Sequence, residues 1–81
     1  MTLDTLKNAN RVIGIKQVSK AVKRNSAEAV FVASDADSRV VEPLKALCQE
    51  CNVLVDETST MQDIGKACGI EVGAAAAAVL R

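Results

Sequence analysis

The stretch EVGAAAAAVLR, Glu71 to Arg81, decides the fold, because its five consecutive alanines can be read as a helix or as a strand. Alanine has the best helix propensity of any residue, which argues for a helix. The segment after Gly73 is only eight residues long, however, and it carries no polar face. A helix that short and that uniformly apolar is marginal on its own. Architecture points the other way. Helical and extended patterns alternate along the preceding chain, and a sheet made from those strands calls for a further member. We therefore read Ala74 to Leu80 as a buried strand, against its local propensity, with small side chains that let the flanking layers approach closely.

Working outward, VLV at Val53–Val55 and AVFVAS at Ala29–Ser34 are short apolar runs. The latter is nearly continuous between polar segments, as expected of a strand covered on both faces near the centre of a sheet. RVIG, Arg11 to Gly14, is a β-branched pair closed by glycine, a brief strand turning into the next element. Helices fill the intervals. Thr2–Asn10 sets Leu3, Leu6 and Ala9 or Asn10 at helical spacing, with Asp4 near the start and Lys7 later, as the helix dipole favours. Thr60–Ala67, capped by Ser59 or Thr60, ends at Cys68-Gly69. In DADSRVVEPLKALCQECN, Asp37 or Ser38 can cap a first turn, and Val40, Val41, Leu44, Leu47, Cys48 and Cys51 share a face. Pro43 interrupts it, which predicts a loose turn from Ser38 and a regular helix from about Pro43 to Cys51. At 81 residues the whole chain, 1–81, is expected to be one domain of α/β class.

Between the first two strands lies GIKQVSKAVKR, Gly14 to Arg24. At about 100° per residue, Ile15, Val18 and Val22 fall on one side with Ala21 at its edge, and Lys16, Lys20 and Lys23 on the other. This is an amphipathic helix with a basic outer stripe. The net charge of zero conceals it: residues 1–25 hold six basic residues against one acidic, residues 26–63 two against eight, and residues 64–81 two against one. Such a polarised molecule can present one face to an anion and repel it with the other.

Other chemistry is poorly provided for. With no His, the chain lacks the usual general base and the commonest zinc ligand. Its single aromatic residue, Phe31, argues against binding single strands by base stacking. CQEC suggests zinc or thiol redox chemistry, but Cys48 follows Leu44 by one helical turn and reads as core packing. Asp35 and Asp37, in a strand-to-helix loop, read as turn and cap residues ahead of a catalytic pair or metal ligands. Gly65, Gly69 and Gly73 follow no nucleotide-binding fingerprint. We expect no catalytic site, no metal and no cofactor. Three cysteines fit a reduced compartment, and no apolar run approaches the length of a membrane span, so a cytoplasmic location is expected.

Four motifs, in order, carry a resemblance: G-x-K-Q-x-x-K-A opening the basic helix, A-x-D-A-D after the apolar strand, L-C near a helix end, and G-K-A-C-G-I-E-V before the alanine-rich segment. From Leu3 to Leu80 the chain resembles the ribosomal protein L7Ae/L30e superfamily, and within it the small bacterial members of the YbxF type. The resemblance implies a three-layer α/β/α sandwich with a mixed four-stranded sheet. It also implies a partner: kink-turn RNA, a sharply bent duplex with tandem sheared G·A pairs, whether in ribosomal RNA, a riboswitch or another structured transcript. A monomer stabilising the kinked form, without catalysis, is the function this implies.

On that reading Gly14 and Ile15 begin the basic helix, where free backbone N–H groups and the positive dipole end favour a phosphate. Lys16, Gln17 and Lys20 project from the same end and can meet guanine O6 and N7 in a groove opened by the kink. Lys23 and Arg24 would touch phosphate without reading sequence. By resemblance, Gly69, Ile70, Glu71 and Val72 form a mostly apolar shelf beside the helix tip for an extruded nucleotide, and Asp37 and Val41 line the same pocket. Many archaeal and eukaryotic members have Asn-Glu where this chain has Lys16-Gln17. Loss of that carboxylate removes an acceptor for guanine N–H groups, so affinity should lean more on charge and salt. The alternative from another class is a protein-interaction module on the same fold, docking through its acidic helix surface or the loop around Ile70.

Overall fold

A computed structural model describes residues 3–8 and 10–81. The alanine run is a strand. Its label is β4 (Ala76–Leu80), and it pairs antiparallel with both β1 (Arg11–Ile13) and β2 (Ala27–Val32), while β2 pairs parallel with β3 (Leu54–Asp56). The sheet runs β1-β4-β2-β3, so β4 is an inner strand with both backbone edges hydrogen-bonded. That is the reason tertiary structure overrides helix propensity here: an alanine helix would leave β1 and β2 with unpaired edges.

The side-chain period of two then assigns each strand residue to a layer. Ala76 and Ala78 of β4, with Val30 and Val32 of β2, face α2 (Ile15–Lys23) and α3 (Ser38–Glu50), which contribute Val18, Val22, Leu44 and Cys48. Ala77 and Val79, with Phe31, face the opposite side, where α1 (Leu3–Asn8) supplies Leu6 and α4 (Met61–Ala67) supplies Ile64 and Ala67. Helices therefore cover both faces of a mixed four-stranded sheet, the three-layer arrangement implied by the resemblance. Three alanines in succession, Ala76 to Ala78, lie at 0% exposure between the two helical layers.

Several boundaries differ from the sequence reading. The strand expected at Ala29–Ser34 begins and ends two residues earlier, with Glu28 exposed at a register irregularity between Ala27 and Ala29. The strand expected at Val53–Val55 lies one residue later. Thr60 is the cap of α4, its hydroxyl accepting from the Asp63 N–H at 3.1 Å. Of the helix expected over Thr2–Asn10, Thr2 and Ala9 lie outside the described residues.

The larger correction concerns Pro43, which sits inside one continuous helix, with no loose turn before it. A proline in a helix interior costs about 3 kcal/mol. Its ring is exposed here, while Val41 and Leu44 on either side are buried at 4% and 2% exposure. Burying two such side chains stabilises by roughly 1.5–3 kcal/mol each, enough to carry the helix through. The buried face of α3 consists of Val41, Leu44 and Cys48. Val40 and Cys51, expected on it, are exposed.

Three helices end alike. Asn25, Asn52 and Gly69 adopt left-handed φ values of 57°, 58° and 75°. After each, a backbone N–H reaches back into the last turn: Ser26 to the Ala21 carbonyl at 2.9 Å, Val53 to Cys48 at 2.9 Å, and Ile70 to Gly65 at 3.0 Å. This closing pattern satisfies helix-end carbonyls and fixes the direction in which each following segment leaves.

Candidate functional site

Because β4 runs antiparallel to β1 and β2, the end of β1, the end of β2 and the start of β4 all meet at one end of the sheet. Two backbone bonds record this: Gly14 N–H donates to the Ala76 carbonyl at 2.9 Å, and Ala33 N–H to the Ala75 carbonyl at 2.8 Å. The tip of α2, the residues that enter β4 at Ala75 and Ala76, and the start of the loop from Ser34 to Asp37 therefore stand side by side, and the loop from Gly69 to Gly73 leads into this end. Sheet topology, and nothing in the local sequence, makes them neighbours.

Gly14 is the N-cap of α2, with φ +96°, a conformation L side chains rarely adopt, and it offers no side-chain cap. Its own N–H is used by Ala76. The Ile15, Lys16 and Gln17 N–H groups have no partner among the described residues, leaving a helix end with donors facing out. Ile15 turns its side chain toward the core, so only its backbone serves the surface. Lys16, Gln17 and Lys20 are exposed. Lys23 and Arg24 are exposed too, but lie at the other end of α2, about 12 Å along its axis from Ile15. None of these four cations has an ion-pair partner among the described residues. Lys45, by contrast, is held by Glu42 at 2.8 Å and Glu57 at 2.6 Å, and these hydrogen bonds raise its amine above the ordinary lysine value.

The loop from Gly69 to Gly73 gets its shape from α4. Gly69 and Ile70 close the helix as described, and Ala74 N–H returns to the Met61 carbonyl at 3.0 Å. Gly65, buried in α4, lets the Val72 carbonyl lie directly on the helix, where a Cβ would collide with it. Ile70 packs against the core beneath the loop, while Val72, at 71% exposure, and Glu71 face outward. Of the residues expected to form an apolar shelf, Val72 is the one that exposes an apolar side chain to this extent.

Asp37 and Val41 lie farther round. Asp37 is occupied in capping α3: it accepts from the Arg39 N–H at 2.9 Å and pairs with the Arg39 guanidinium at 2.9 Å, which holds its carboxyl below the ordinary aspartate value. Val41 is buried but lines a cleft of about 260 Å³ between α3 and the ends of β2 and β3, together with Ser34, Ala36, Lys45 and Glu57. Asp35 caps α4 instead, accepting from the Met61 N–H at 2.8 Å.

Two residues outside the sequence-based set shape the loop from Gly69 to Gly73. One is Gly65. The other is Arg11, whose guanidinium donates to the Leu6 carbonyl at 3.1 Å and the Cys68 carbonyl at 2.8 Å. The available signal for Arg11 was a charged residue two positions from Ile13, on a strand face that should be apolar. Elsewhere, Cys48 and Cys68 are buried, and burial pushes both thiols above the ordinary value. Among the described residues no three potential ligands converge on a metal position, and no helix is long and apolar enough to cross a membrane.

With that geometry in hand, the chain can be set beside known proteins. Residues 2–81 match the model of the ribosomal protein L7Ae/L30e/S12e/Gadd45 family. The RNA-binding protein YbxF of Geobacillus stearothermophilus is 49% identical over 70 residues, covering 86% of this chain and 85% of that protein. An RNA-binding protein of Bacillus pumilus is 43% identical over 81 residues, 99% of each chain. Among solved structures, the Giardia lamblia 15.5kD RNA binding protein superposes with a TM-score of 0.89 at 27% identity, covering 98% of this chain and 70% of that one. These relatives carry the names of RNA-binding proteins and not of enzymes.

Proposed function

The chain belongs to the ribosomal protein L7Ae/L30e/S12e/Gadd45 family, and from that membership we propose that it is a non-enzymatic RNA-binding protein whose ligand is a kink-turn. In this reading the protein binds the bent duplex in preference to the extended one and so stabilises the kink. The observation that supports it is the bond from Gly14 to Ala76, which sets an uncapped, lysine-bearing helix tip against the strand that the loop from Gly69 to Gly73 leads into. Free N–H groups at the start of α2 take a phosphate, Lys16, Gln17 and Lys20 reach the edges of the sheared G·A pairs, and Val72 receives an extruded nucleotide. Lys23 and Arg24 follow the backbone away from the kink. Gly14, Ile15, Ile70 and Gly69 contribute backbone shape, and Asp37 and Val41 the far wall of the pocket. The protein acts as a monomer in the cytoplasm, on ribosomal RNA or another structured transcript.

A binding titration with a kink-turn duplex, and with a control in which Watson–Crick pairs replace the sheared pairs, tests this. Tighter binding of the kink-turn is expected, and Lys20→Ala should weaken it by on the order of 1–3 kcal/mol if Lys20 reads a base. Equal affinity for both RNAs would remove the kink-turn reading. Binding to neither would turn attention to a protein partner.

A further inference from the structure

We propose that Arg11 is a positioning residue for the loop from Gly69 to Gly73: it sets the affinity for RNA from behind the site, without touching RNA. This rests on the RNA-binding reading above. Arg11 opens β1 and shares with Ile13 the sheet face covered by α1 and α4. Its guanidinium joins two helix ends, through the Leu6 carbonyl in the last turn of α1 at 3.1 Å and the Cys68 carbonyl at the C-cap of α4 at 2.8 Å. Carbonyls at helix C-termini lack intrahelical donors and carry the negative end of the dipole. A planar cation with several donors can serve both at once, which the point charge of a lysine cannot.

Cys68 is the last residue before the loop. Among the described residues, the Arg11 bond is the only side-chain hydrogen bond that reaches the chain between Cys68 and Ala75. The far end of the loop is held by backbone alone, through Ala74 and Met61. Gly69, Glu71, Val72 and Gly73 between these anchors are exposed. Releasing Cys68 leaves the start of the loop held by the backbone bonds of Gly69 and Ile70 to the last turn of α4 alone and lets the loop shift. Direct contact of Arg11 with RNA is disfavoured by position: it lies at the opposite end of β1 from Gly14, about 10 Å away along the strand, and its guanidinium is already engaged.

The test compares wild type, Arg11→Met, Arg11→Lys and Lys20→Ala in binding a kink-turn RNA at several salt concentrations, together with amide hydrogen exchange of each free protein. Arg11→Met should weaken binding about tenfold, the scale of one lost charge-assisted hydrogen bond. It should leave the salt dependence unchanged and speed exchange at Gly69–Val72 while β2 and β4 stay protected. Arg11→Lys should recover part of the affinity. Lys20→Ala should lower the salt slope by roughly one and leave loop exchange unaltered. Wild-type affinity in Arg11→Met, or a salt slope reduced as in Lys20→Ala, would overturn the proposal. If wild type itself shows no preference for the kink-turn, the RNA reading fails; unchanged loop exchange in both Arg11 variants would sink the anchoring role independently.

Discussion

Gly65 shows how a single atom's worth of space shapes the site. Exchanging a helical glycine for alanine normally gains about 1 kcal/mol of helix propensity. Here the added Cβ meets the Val72 carbonyl, a backbone atom that cannot rotate away. Overpacking of this kind typically costs 1–3 kcal/mol, so it should outweigh the propensity gain. Gly65→Ala is expected to lower stability by roughly 1 kcal/mol in a denaturant titration and to displace the loop from Gly69 to Gly73, weakening RNA binding. The lysine stripe of α2 was readable from spacing, since a helix period alone separates Lys16, Lys20 and Lys23 from Val18 and Val22. Gly65 and Arg11 were not, because their partners, Val72 and Cys68, become neighbours only through the folding of α4 against its own exit loop and against β1.

At the level of elements, α3 tests how far packing overrules local preference. Pro43 removes an N–H from the middle of a 13-residue helix, yet the helix continues because Val41, Leu44 and Cys48 bury one unbroken face. Restoring the N–H in Pro43→Ala recovers part of the proline penalty, about 3 kcal/mol, and gives up about 0.4–1 kcal/mol of restriction in the unfolded chain. The melting temperature should rise by several degrees, a net gain of roughly 1–2 kcal/mol for a domain of this size. An unchanged or lower melting temperature would show that the helix has already relaxed around the ring. The helix stop at Gly69 followed directly from the residues and the start was narrowed to Ser59 or Thr60, of which the hydrogen bond from Asp63 selects Thr60. The start of α3 did not, because proline's local effect was weighed without the buried face on either side of it.

Across the whole molecule, zero net charge says little about how the protein meets a polyanion. The acidic residues concentrated in 26–63 are partly spent on Lys45 and Arg39, whereas the four cations of α2 and its C-cap stay unpaired among the described residues. Binding should therefore weaken as salt rises, with a log–log slope of roughly 2–4 if most of these cations meet phosphate. A slope near zero would point to a docking mode other than the basic helix. The radius of gyration, 10.9 Å, is slightly below the roughly 11.7 Å expected for a chain of this length.

What the sequence determined by itself is whatever depends on short-range periodicity: the amphipathic α2 with its cationic stripe, the apolar strands, a cap at Ser59 or Thr60 and the glycine stop at Gly69. Spaced motifs extended this to the family. Tertiary structure alone decided that Ala76–Leu80 is an inner strand, that α3 runs through Pro43, and that Arg11 grips Cys68. In each case a long-range partner, a strand edge, a buried face or a helix-end carbonyl, outweighs a local preference of about 1–3 kcal/mol, and such partners are brought together only by the closed sheet.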